Sequence, residues 1–178
     1  MSTDDLIQKP GLARDIARVA GTLSHSEFPR GDLADLRRGG ARMYTSPGYW
    51  RVLLDRVDQD QRADEEAERR WGVILQAMAI MAPDIHAPGQ GVGRVLAGIG
   101  QDSLEHRLLR LLRSRGQALE DQMRLMARLL ASYNRAVDWS PLAGLVLNRD
   151  EDRKESIRRS IARDYYLFFQ ALEQDNAA

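Results

Sequence analysis

Apolar residues recur three and four positions apart along nearly the whole chain, the period of an α-helix that buries one side. Leu12, Ile16, Val19, Ala20 and Leu23 mark a first amphipathic helix ending near Ser24. A short helix follows from Asp32 to Arg38, with Asp32 as its cap and Gly39-Gly40 closing it. Ser46-Pro47 opens a third helix, with serine at the cap and proline in the first turn; its inner face is Trp50, Leu53, Leu54 and Val57. The charged run at 55–70 reads as an exposed linker that leads into another helix. Asp64, Glu65 and Glu66 suit the positive end of that helix, and the apolar stretch Trp71 to Met81 continues it.

Residues 83–93 hold two prolines and three glycines and form the one long break. Helical patterns resume at Val92 to Ile99, Ser103 to Ser114 and Gln117 to Tyr133. Ser140-Pro141 repeats the cap-plus-proline start, and a last helix runs from about Glu151 to Leu172. No strand alternation of useful length and no internal repeat interrupts this pattern. The expected fold is all-α: a compact multi-helix bundle of about eight or nine helices. It is expected to form a single domain over 10–175, with helical lobes at about 10–82 and 92–172 joined by loop 83–91. Residues 1–9 and 174–178 are expected to be disordered. Trp50, Trp71, Trp139 and Leu108 are the expected buried anchors.

At 178 residues the chain can bury a core without help from disulfides or metals, and it contains no Cys. That removes thiol catalysis, cysteine-zinc sites and redox switching. The longest apolar runs are a few residues, so no membrane-spanning helix is expected. The acidic start MSTDDLIQKP lacks the apolar core of a signal peptide, and a cytoplasmic location is the expectation.

Residue patterns that suggest chemistry do not survive inspection. PGQGVGR has Arg94 where a dinucleotide loop needs glycine, lacks the Lys-Ser/Thr of a P-loop, and follows no strand. His25, His86 and His106 lie far apart, none with a metal-ligand partner at the right spacing. Paired carboxylates occur only in solvated acidic runs. The residues therefore point to no catalytic site, no cofactor and no metal, and the protein is read as a non-enzyme.

Charge is where the chain becomes specific. The formal net charge is zero, yet 24 of the 26 basic residues are Arg, with only Lys9 and Lys154 as lysines. Guanidinium suits bidentate phosphate contact and base stacking. Between Gly91 and Trp139 the eight arginines outnumber the acids. On one helix there, Leu104, Leu108, Leu109, Leu111 and Leu112 fill one side while Arg107, Arg110 and Arg113 sweep the other. Such a helix docks through leucine and offers arginine to a polyanion, so nucleic acid is the first partner to consider. Arg37, Arg38 and Arg42 form a second cluster. Glu120, Arg124, Arg128 and Arg135 share one face of their helix, read in part as a surface salt ladder. The alternative is a helical adaptor whose arginine faces meet an acidic protein partner. A helix-turn-helix regulator would need a recognition helix with base-reading side chains, and none is evident.

In order and spacing, LADLRRGGARMYTSPGYWRVLL at 33–54, GVGRVLAGIG at 91–100, EHRLLRLLRSR at 105–115, LMARLLASYNRAVDW at 125–139 and ARDYY at 162–166 resemble the CasB family. These are the small subunits of the type I-E CRISPR surveillance complex, Cascade, and the likeness spans about residues 10 to 170. The resemblance implies an all-α, non-enzymatic subunit of Cascade that works beside the other Cascade subunits and a second copy of itself. Its nucleic-acid partners would be the guide RNA–target DNA hybrid and the displaced single strand, and its role to stabilise the opened target. The basic positions it implies are Arg37, Arg38, Arg94, Arg107, Arg113, Arg128, Arg153 and Lys154. Arg42 and Arg110 join them from the residue clusters themselves. Asp138-Trp139 resembles a structural corner of the family, with Trp139 as a core anchor. Asp150 to Asp152 place acids beside the basic pair Arg153-Lys154, and run 55–70 is unusually acidic for the family.

Overall fold

The computed structural model describes residues 11–177, and within them the regular structure is helical. The helices are α1 (Leu12–Ser24), α2 (Arg30–Arg38), α3 (Ala41–Tyr44), α4 (Pro47–Arg56), α5 (Glu65–Met81), α6 (Val92–Ile99), α7 (Asp102–Arg113), α8 (Gly116–Ser132), α9 (Trp139–Leu147) and α10 (Glu151–Ala177). A 3₁₀ turn at Gln59–Arg62 precedes α5. The all-α expectation holds, and its last helix runs on past Leu172. The expected disordered residues 1–9 lie outside the described segment.

α5 is the axis of the fold because its apolar residues do not stop at one face: every residue from Trp71 to Ala79 is buried. A helix apolar all round must be surrounded, and α8, α2, α9, α1 and α4 all pack on it. Its start is well defined. The Asp64 carboxylate accepts the Ala67 amide at 2.8 Å, and Glu65, Glu66 and Glu68 stand in the positive first turn. The buried Trp71 indole donates to the Gln61 carbonyl at 3.0 Å, so its polar atom costs nothing. α9 is the second buried helix, with Leu142 to Leu147 all inside.

α6 crosses α10 at close range, and Gly93 is the reason. A Cβ there would stand 2.4 Å from the Ile161 carbonyl oxygen and 2.8 Å from the Tyr165 nitrogen. Loop 83–91 is equally well tied: Ala87 donates to Val137 O at 3.0 Å, Asp138 to Gln90 O at 2.7 Å, and Trp139 to His86 Nδ1 at 3.2 Å.

Several expectations are corrected. Trp50 is 38% exposed and Leu54 49% exposed, because α4 turns Tyr49, Val52 and Leu53 inward instead. Trp50 lies edge-on against Tyr49, with ring centroids 5.0 Å apart, and its indole donates to the Tyr44 carbonyl at 2.9 Å. Trp71, Trp139 and Leu108 are buried as expected. α2 begins two residues early, at Arg30, so Asp32 is inside its first turn rather than at its cap. Ser46 precedes Pro47 at the head of α4 but makes no capping bond. α9 is capped by Asp138, whose carboxylate accepts Ser140 N at 2.9 Å, not by Ser140.

The acidic run is no free linker. Asp58 pairs with Arg14 and Arg18, while the buried carboxylate of Asp15 accepts the Asp58 amide at 3.0 Å. Glu66 clasps Arg69 and Arg70; their hydrogen bonds pull its carboxyl down to about 2. The ladder on α8 is likewise not a surface feature. Glu120 is buried and accepts Arg69 NH1 at 2.6 Å, and Arg124 Nε donates to Gln76 Oε1 at 2.7 Å. Those two residues stitch α8 to α5.

Candidate nucleic-acid interface

The sequence-marked arginines divide by what their guanidinium groups already hold. Arg37 is committed to the fold: its Nε donates to Ala79 O at 2.9 Å and an NH2 to Ala82 O at 3.1 Å, closing the C-terminal end of α5. Arg38 pairs with Asp35 at 3.3 Å, one turn back on α2. Arg153 lies 3.7 Å from Asp150, and Lys154 Nζ donates to Glu151 at 2.6 Å. The acids inserted beside that basic pair therefore reach it. Arg42 is exposed on the short α3, apart from α7 in the chain, and its side chain has no ion-pair partner among the described residues.

On α7 the amphipathic reading is realised. Leu104, Leu108, Leu111 and Leu112 are buried and Arg107, Arg110 and Arg113 are exposed, with Leu109 half-buried between. None of the three arginines has an ion-pair partner among the described residues. Glu105, an acid on the same helix, is occupied elsewhere: Tyr166 of α10 donates its hydroxyl to it at 2.7 Å. That bond raises the phenol's pKa, with partial burial adding to the effect. Arg107 and Arg110 form one wall of a cavity of about 250 Å³ between α7 and α8, whose floor is Leu125, Met126 and Leu129. Arg128, farther along α8, is exposed and unpaired among the described residues.

Arg94 stands on α6 with its guanidinium over the Phe168 ring of α10, 5.7 Å from the centroid. Two arginines near it carried no site role in the sequence reading. Arg163 of α10 shares with Arg94 a polar cleft at the head of α6. Arg135 shares with it a cleft on the other side, against Asn134 and Phe168. What could have found Arg135 is the string Tyr-Asn-Arg at the end of an amphipathic run. Asn134 takes the left-handed conformation at φ 51°, Asn134 N donates to Ala131 O at 3.0 Å and Arg135 N to Leu130 O at 3.0 Å. This closure ends α8 and turns Arg135 off the helix face on which the periodicity had placed it.

No group of three or more His, Asp or Glu able to hold a metal occurs among the described residues, and no described helix is long and apolar enough to cross a membrane. The half-buried His86 accepts the Trp139 amide at Nδ1; partial burial lowers its pKa, while Asp138 3.9 Å away opposes that shift. These contacts make it part of the corner between loop 83–91 and α9.

Comparison with known proteins places the chain in a family and a fold. The family model "CRISPR-associated protein Cse2" matches residues 32–166, most of the chain. The chain belongs to the Cse2 family. Two solved structures share the fold. A chain in the crystal structure of E. coli Cascade bound to a PAM-containing dsDNA target superposes with a TM-score of 0.62 at 17% identity, covering 86% of this chain and 95% of that one. CasB from Thermobifida fusca gives a TM-score of 0.64 at 20% identity, covering 86% of this chain and 94% of that one. No curated protein sequence matches. The ordered motifs thus identified the family, whereas the individual arginine assignments rest on their geometry here.

Proposed function

We propose that this Cse2-family protein is the non-enzymatic small subunit of a type I-E Cascade complex and holds nucleic-acid backbone to stabilise the opened target. The observation that carries the reading is the arginine stripe of α7: three exposed guanidinium groups, without an ion-pair partner among the described residues, on a helix anchored by four buried leucines. Most other arginines are spent on ion pairs or carbonyls. Charges left unpaired along one ridge in a protein of zero net charge mark where a polyanion can sit. The interface is then Arg107, Arg110 and Arg113, extended by Arg94 on α6 and Arg128 on α8, with Arg42 as an outlying contact. Arg37 already holds helix-end carbonyls and Arg38, Arg153 and Lys154 each face an acid one turn away, so this interface is drawn without them.

Strand exchange between an RNA–DNA hybrid and a DNA duplex is nearly balanced, so a few phosphate contacts can tip it. Each neutralised phosphate contributes through counterion release, and the larger complex supplies the rest of the affinity. That Cascade bound to double-stranded DNA contains a chain of this fold supports the context. The guide–target hybrid and the displaced strand are the expected ligands, the other subunits and a second copy the expected protein partners, and the cytoplasm the expected location.

The test is reconstitution of the complex with an Arg107→Ala, Arg110→Ala, Arg113→Ala variant. The variant should assemble normally, lose opened target faster, and show a salt dependence of target binding reduced by about 0.7 to 0.9 in log–log slope per phosphate lost. Wild-type opening kinetics and salt slope in a fully assembled complex would overturn the reading.

A further inference from the structure

The cleft between α6, the α8–α9 turn and α10 is built differently from the α7 ridge. It encloses about 420 Å³, within the roughly 300–1,000 Å³ typical of small-molecule sites. Arg94 lines one wall, already laid over the Phe168 ring. Arg135, placed by the helix closure at Asn134, also lines it, and none of its lining residues is an acid. Gln90 and Asn134 complete it, and neither side-chain amide has a hydrogen-bond partner among the described residues.

We propose that this cleft takes one unstacked nucleotide of a single strand, with the base against Arg94 and the phosphate on Arg135. A guanidinium held over an aromatic ring is oriented on one side and offers its second face to another planar group. Unpaired bases stack on such arginine planes, whereas duplex bases are already stacked on each other. The Gln90 and Asn134 amides each carry donors and acceptors for the edge of a base. Arg135 has no acid partner among the described residues and is available to a phosphate oxygen. Among the described residues no aromatic ring lies under the α7 arginines, and that ridge is suited to backbone alone. This proposal rests on the nucleic-acid reading above and divides it: charge along α7, one base at α6–α10.

The experiment compares binding of the full-length protein to two single-stranded DNA oligonucleotides of equal length, one normal and one with abasic sites, at low salt. Wild type should prefer the normal strand roughly five- to tenfold, the weight of about one stacked base. Arg94→Lys, which keeps the charge but not the plane, should abolish that preference while leaving the salt slope and the thermal melt unchanged. Arg135→Ala should weaken both strands equally. Equal wild-type affinity for the two strands, or an undiminished preference in Arg94→Lys, would overturn the cleft proposal. If at the same time the α7 triple variant loses both strands, the backbone reading stands without it. A wild-type protein that binds neither strand overturns the cleft proposal, whereas the backbone reading, whose affinity draws on the whole complex, is decided by the reconstituted α7 triple variant.

Discussion

Arg37 closes the end of α5 on Ala79, with the guanidinium Nε 2.9 Å from that carbonyl oxygen. The contact joins two helices that also meet where Gln76 donates to the Arg37 carbonyl at 3.2 Å. Gly39 sits beneath that amide. A Cβ at Gly39 would stand 2.2 Å from Gln76 Nε2, and its φ of +66° already excludes most side chains. An arginine that resembles a phosphate contact in the sequence is therefore a bolt between α2 and α5.

Removing that bolt should destabilise the protein. A charge-assisted hydrogen bond to a carbonyl contributes about 1.5–3 kcal/mol, less where water reaches it, so Arg37→Ala should cost about 1 kcal/mol. Chemical denaturation should show this drop. An unchanged midpoint would return Arg37 to the pool of free surface charges.

The tryptophans should separate cleanly. Trp71 and Trp139 are fully buried, and truncating either to Ala should cost about 3–5 kcal/mol. Trp50→Ala loses a half-exposed ring and one hydrogen bond, and should cost about 1 kcal/mol. Thermal melts of the three variants rank them, and equal losses would contradict the orientation of α4.

Gly93→Ala tests the α6–α10 crossing. The added methyl meets the backbone of Ile161 and Tyr165, which cannot swing aside as a side chain would. Overpacking of this kind costs about 1–3 kcal/mol. Because Arg94 and Phe168 ride on those two helices, the variant should also weaken any preference for a base-bearing strand. Gly98→Ala on the same helix meets only ordinary contact with Phe168 and is the control; it should be neutral or better.

His86 gives the pH dependence a sign. Burial lowers its pKa from the ordinary 6.5, so the folded state binds fewer protons than the unfolded state below that point. Its contribution to stability is fully present above pH 6.5 and is lost as pH falls through the lower folded value. Melting temperature should fall between pH 7 and pH 5 in the wild type, and less steeply in His86→Asn. Parallel slopes would remove His86 from the account.

The helices were legible because each carries its own period: α1, α6 and α7 match their patterns to within a residue or two. α3 and the 3₁₀ turn were not, since four-residue elements leave no period to read. Family membership was also legible, as it depends on the order of motifs and not on where any side chain points.

The rotation of α4 and the partners of the arginines are different in kind. Trp50 and Tyr49 are neighbours, and a shift of one position, 100° around a helix, decides which is buried. Nothing in α4 alone sets that phase; the faces offered by α1, α2 and α5 do, with the Glu68 carbonyl 2.9 Å from the Tyr49 hydroxyl. Likewise Arg37 and Arg107 look alike in a string of letters. One meets helix-end carbonyls from a segment 42 residues away, while the other stands exposed on α7 with no ion-pair partner among the described residues. Local periodicity determines which segments are helices and which sides are apolar. Only the docking of those helices decides which charges are already neutralised and which remain for a partner, because neutralisation depends on distance in space and not on separation along the chain.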